Sequence, residues 1–87
     1  MSFDATMKFT MNMTRAQVEA KLPELKAFAE AGQLGEASKL LSDTAALSNA
    51  DLAQRLKRCM EIVGGKDETA LLYDQLDMLV LNLNNLK

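Results

Sequence analysis

The sequence predicts a mainly α fold: a compact bundle of three to five short helices preceded by an N-terminal extended arm or strand at about residues 3–13. Three observations predict it. Leu72, Leu76, Leu79, Leu83 and Leu86 recur at intervals of four, three, four and three, a heptad stripe that wants another helix surface against it, from the chain's own fold or from a second copy. Thr14 stands three residues ahead of Gln17, and Ser48 three ahead of Asp51, the spacing of helix N-caps. The first thirteen residues instead alternate apolar and polar, which is the period of a strand.

Eighty-seven residues make one domain, divided here into an arm at 1–13 and a helical domain at 14–87. Apolar residues make up 48% and charged residues 25%, the balance of a folded domain and not of a disordered tail. The net charge of −2 comes from ten basic and twelve acidic side chains, with no long block of either sign. Nucleic acid is therefore possible but disfavoured as a partner. Polar residues interrupt 1–13 too often for a signal-peptide core, and no run of about eighteen apolar residues exists to span a membrane. Cys59 is alone, which excludes an intramolecular disulfide and suits a reducing cytoplasm.

In chain order, Phe3, Ala5, Met7, Phe9, Met11 and Met13 fall on one side of the alternating segment. No second alternating segment is present to pair with it, so its partner is the same strand of another copy, or else it lies as an arm over the core. The first helix follows the Thr14 cap, with Val18, Leu22, Leu25, Phe28 and Ala29 on one face and Gly32 as its stop. Pro23 either bends this helix or opens a second one. A shorter helix runs from Gly35 to about Leu47, with Ala37, Leu40, Leu41 and Thr44 inward. Ser48 caps the next, whose seam is Leu52, Leu56, Cys59, Ile62 and Val63, ended by Gly64-Gly65. The last helix opens at Lys66 or Asp67, where acidic residues suit the positive end of the dipole, and runs to the C-terminus. A shift of 34 residues superposes the two seams, Val18 on Leu52 through Ala29 on Val63, as in two stacked helical hairpins of a repeat protein.

Candidate chemistry is sparse. Histidine is absent, which removes the usual general base near neutral pH and the usual zinc ligand. Cys59 falls between Leu56 and Ile62 on a seam, the place of a buried small hydrophobe. The carboxylates are spread over outward faces, and Gly64-Gly65 follows a helix where a phosphate loop needs a strand. The expectation is a protein that is not an enzyme and carries no cofactor and no metal.

Helix four carries the candidate interface. Its stripe of Leu72, Leu76, Leu79, Leu83 and Leu86 is backed by a smaller apolar spot, Leu71, Met78 and Leu81, set among Asp74, Asp77, Asn82 and Asn85. Either these are a few exposed apolar residues of the ordinary kind, or the helix touches two surfaces, in which case the expected partner is a second copy or another protein.

Residues Gly32-Gln33-Leu34-Gly35-Glu36-Ala37-Ser38, followed by Leu40 and Leu41, resemble the turn between the helices of ribbon-helix-helix repressors and related plasmid antitoxins. The likeness covers Met7 to Leu47. It implies an intertwined dimer whose strand enters the DNA major groove, with Thr6, Lys8, Thr10 and Asn12 as the readers. The interval from Met13 to Gly32 is longer than that family's, Pro23 falls inside it, and the charge balance is acidic. The same turn also looks like that of tetratricopeptide-type hairpins. The leading expectation is thus a non-catalytic, homodimeric protein-protein interaction module, and the alternative is a DNA-binding regulator or antitoxin.

Overall fold

A computed structural model of the protein describes residues 12–86. Within them the chain forms α1 (Arg15–Ala31), α2 (Gly35–Leu40), α3 (Asn49–Val63) and α4 (Ala70–Asn85), and no strand is present among the described residues. The all-α bundle expected from the periodicities is the observed fold. Apart from Asn12 and Met13, the alternating segment lies outside the described residues.

The predicted capping box starts α1. Gln17 N–H donates to Thr14 Oγ1 at 3.2 Å, and Thr14 N–H donates to Gln17 Oε1 at 2.9 Å. Two of the helix's otherwise unpartnered donors are thereby satisfied. Pro23 does not split the helix: α1 continues through it, with the proline on an exposed position. Gly32 is not the residue that turns the chain. It stays at φ −87°, and Gln33 takes the left-handed conformation at φ 61°. Gln33 N–H reaches Glu30 C=O at 3.0 Å and Leu34 N–H reaches Ala29 C=O at 2.8 Å, the paired bonds of a Schellman ending.

Helix α2 is shorter than its apolar spacing predicts, stopping at Leu40 and not near Leu47. Asp43 lies at φ 54°, a left-handed residue that a right-handed helix cannot contain. The segment around it is held by side chains. Arg15 Nη1 donates to Leu47 C=O (2.8 Å) and Asn49 Oδ1 (2.9 Å), its Nη2 donates to Thr44 C=O (3.0 Å), and Arg55 Nη1 donates to Ser42 C=O (2.9 Å). Buried carbonyls of an irregular segment need such donors.

Helix α3 follows expectation. Ser48 Oγ accepts from Asp51 N–H at 3.1 Å, and Gly64 at φ 84° closes the far end. Helix α4 begins at Ala70, a turn later than its acidic residues suggested. Thr69 Oγ1 accepts from Lys66 N–H at 3.0 Å and donates to Val63 C=O at 3.1 Å, so 66–69 forms a separate turn before the helix.

The broadest packing is between α3 and α4; α1 lies against α2 and α4, and α2 against α3. The chain thus forms two helical hairpins, α1–α2 and α3–α4, packed together through α2–α3 and α1–α4, with α1 and α3 not among the principal pairs, so that the four helices close into a ring. One core fills it. Val18, Leu52, Leu56, Cys59, Leu72 and Leu76 have no exposed surface at all. Each leucine so buried contributes about 1.5–3 kcal/mol relative to leaving it in water.

Candidate functional site

The inner side of α4 is spent on the chain's own core. Leu72, Leu76, Leu79 and Leu83 are buried with Leu52, Leu56, Cys59 and Val63 of α3, and Leu86 packs half-buried against them. The sequence stripe therefore finds its second helix surface within the same chain, the first of the two sources the heptad allowed. Val80 and Asn82 widen the buried face. Asn82 was expected on the polar back of the helix, yet it is fully enclosed. Its Oδ1 accepts from Met13 N–H at 2.9 Å and its Nδ2 donates to Met78 C=O at 2.9 Å. An enclosed amide is tolerated because its hydrogen-bonding groups are used.

The outer side of α4 is different. Leu71 is 58% exposed and Leu81 44%, with Met78 half-buried between them and Asp74 and Asp77 exposed on the same side. A third large apolar side chain, Phe28 on α1, is 41% exposed. Phe28 and Leu71 line one shallow groove of about 200 Å³ between α1 and α4, with Leu25 at its base. A second hollow of about 380 Å³ adjoins it, where Phe28 meets Ala31, Leu34 and Leu72.

Sequence reading placed Leu71, Met78 and Leu81 correctly on the back of α4 but assigned Phe28 to the first seam. No sequence signal set Phe28 apart from the seam; in the structure its repeat counterpart Ile62 is also only half-buried, so this register sits at the rim. Of the residues named as DNA readers, Thr6, Lys8 and Thr10 lie outside the described residues, and Asn12 is exposed at their boundary.

Among the described residues, the Cys59 thiol and the Glu30 carboxyl are displaced from their ordinary values. Cys59 Sγ donates weakly to Ala37 C=O at 3.7 Å, and burial pushes the thiol up to about 11, far from the thiolate that nucleophilic chemistry requires. Glu30 is held below the usual carboxylate range by hydrogen bonds from Lys26 and Ser38, the arrangement of a surface tether. Among the described residues no three His, Cys, Asp or Glu come together as a metal-binding group, and no helix is long and apolar enough to cross a membrane.

No protein-family model, curated protein or solved structure matches this chain. Its surface is the guide to its function.

Proposed function

We propose that this protein is a non-catalytic interaction module that associates with a second copy of itself through the outer face of α4 and the neighbouring Phe28. One observation carries the reading. With the leucine stripe satisfied internally, the large apolar side chains left exposed are not scattered: Phe28 and Leu71 share a groove, and Met78 and Leu81 extend the same apolar line along α4. Contiguous exposed apolar surface on a small domain marks a contact site, whereas single exposed leucines do not. Burying it contributes about 25 cal/mol per Å² removed from water, offset by the entropy of association, so the contact is of modest affinity. The lone, buried Cys59 fits a cytoplasmic setting, where thiols stay reduced.

Absolute molar mass by light scattering, over about a hundredfold range of concentration, tests this. The mass should rise above one chain, and Phe28→Ser with Leu71→Ser should return it to one chain without loss of helical content. A single-chain mass throughout would reject the reading.

A further inference from the structure

The opposite rim of the bundle carries a surface of complementary character. Leu40 of α2 is the apolar side chain lining a cleft of about 450 Å³, whose other lining residues, Gln54, Arg55, Lys57, Arg58 and Glu61, come from α3. An adjoining hollow of about 230 Å³ shares Leu40 and Arg58 and adds Lys39 and Ile62. Lys39, Lys57 and Arg58 are exposed and make no ion pair among the described residues. Helix α4 reverses this pattern. It has Asp74 and Asp77, no lysine or arginine, and an apolar line of Leu71, Met78 and Leu81 on the same exposed side. Neither aspartate makes an ion pair among the described residues. One helix is an acidic amphipathic ridge, and the cleft is a predominantly basic slot with Leu40 and Ile62 as its apolar contacts.

We infer that the α2–α3 cleft is the acceptor for the α4 ridge of a second copy, so that Lys57 and Arg58 of one chain face Asp74 and Asp77 of the next. This rests on the self-association proposed above and names its second surface. Charge complementarity chooses the occupant. Around the two hollows Lys39, Arg55, Lys57 and Arg58 outnumber Glu36 and Glu61, and a helix that carries two carboxylates beside an apolar line meets both that basic excess and the apolar contact offered by Leu40 and Ile62. Charged groups at an exposed rim chiefly set register and rate of encounter, and salt screens them.

The test is charge-swap complementation. One variant carries Lys57→Glu and Arg58→Glu, the other Asp74→Lys and Asp77→Lys; all four positions are exposed, so both variants should keep the wild-type melting behaviour. Each alone should sediment as a single chain, and their equal mixture should regain association. Wild-type association should weaken at least tenfold between about 50 mM and 500 mM salt. Persistence of association in both variants, unchanged by salt, would overturn the cleft assignment while leaving self-association standing. A wild type that stays a single chain at every concentration would overturn both. Retention of a DNA duplex by the wild type, lost in the Lys57→Glu/Arg58→Glu variant and without self-association, would give the cleft to nucleic acid and overturn the assignment as well.

Discussion

The backbone N–H of Met13 donates to the side-chain oxygen of Asn82 across 69 residues of sequence, in a buried position at 2.9 Å. Met13 is 3% exposed and Asn82 2%, so this bond fixes the entry of the helical domain against the last helix where water cannot substitute. The energetics are asymmetric. The bond itself adds about 1 kcal/mol, but removing its acceptor leaves a buried N–H unsatisfied at a further cost.

Replacing Asn82 by leucine should therefore destabilise the domain by about 1–3 kcal/mol despite the added apolar volume. Urea unfolding followed by circular dichroism reads this directly. A neutral or stabilising result would show that the Met13 amide finds another acceptor.

Leu76 is wholly buried between the helices, and Leu76→Ala should cost about 2–5 kcal/mol through lost transfer energy and the residual cavity. Leu79→Asp with Leu83→Asp should abolish the fold, because both side chains belong to the single-chain core. A folded double variant would contradict the placement of α4.

Gln33 holds a left-handed conformation that glycine adopts without steric cost, so Gln33→Gly should stabilise the protein by about 0.5–1 kcal/mol. Gly64 offers the mirror test. It lies at φ 84° with open space where a Cβ would sit, so Gly64→Ala should destabilise by about 1 kcal/mol for backbone reasons alone. Paired thermal melts of the two variants decide both.

Arg15→Met should loosen the segment between α2 and α3, since one guanidinium supports the carbonyls of Thr44 and Leu47 and the side chain of Asn49. The expected loss is about 1.5–3 kcal/mol, the range for hydrogen bonds to a charged group. Hydrogen exchange should show the change first at the Leu47 amide, which bonds to Thr44 C=O at 3.1 Å. Unaltered protection there would show that packing alone holds the segment.

Burial raises the Cys59 thiol from 9.0 to about 11, so the folded state binds the proton more tightly than the unfolded state does. The associated stability is complete below about pH 9 and declines as pH rises toward about 11. Cys59→Ala should flatten that decline. At pH 8 a thiol reagent should react with the native protein only as fast as the chain opens.

Much of the architecture was legible because it is local. Thr14, Ser48 and Gly64-Gly65 announce their helix ends through side-chain chemistry and conformational freedom within three or four residues. Two of the misses originate in long-range contacts. The end of α2 depends on Arg15 and Arg55 reaching in from other helices, and no window around Asp43 reports that. Asn82 looked solvent-facing because its partner is Met13. The candidate site was half legible. Periodicity identified Leu71, Met78 and Leu81 as a second apolar line, but a heptad stripe cannot state whether its mating surface lies in the same chain. The basic cleft is not visible in the sequence because its residues come from two helices and are separated by Leu41 to Ala53.

The ring of helices gives the bundle a topology with no free end. In an open array a further hairpin could be added to the exposed flank of the last one, and the chain could grow or shrink by units. Here the packing of α1 on α4 occupies that flank, and Arg15 ties the start of α1 to the start of α3. The two hairpins are thus indivisible halves. A cut between Thr44 and Ser48 would part Arg15 from Asn49, and neither fragment would hold a finished core.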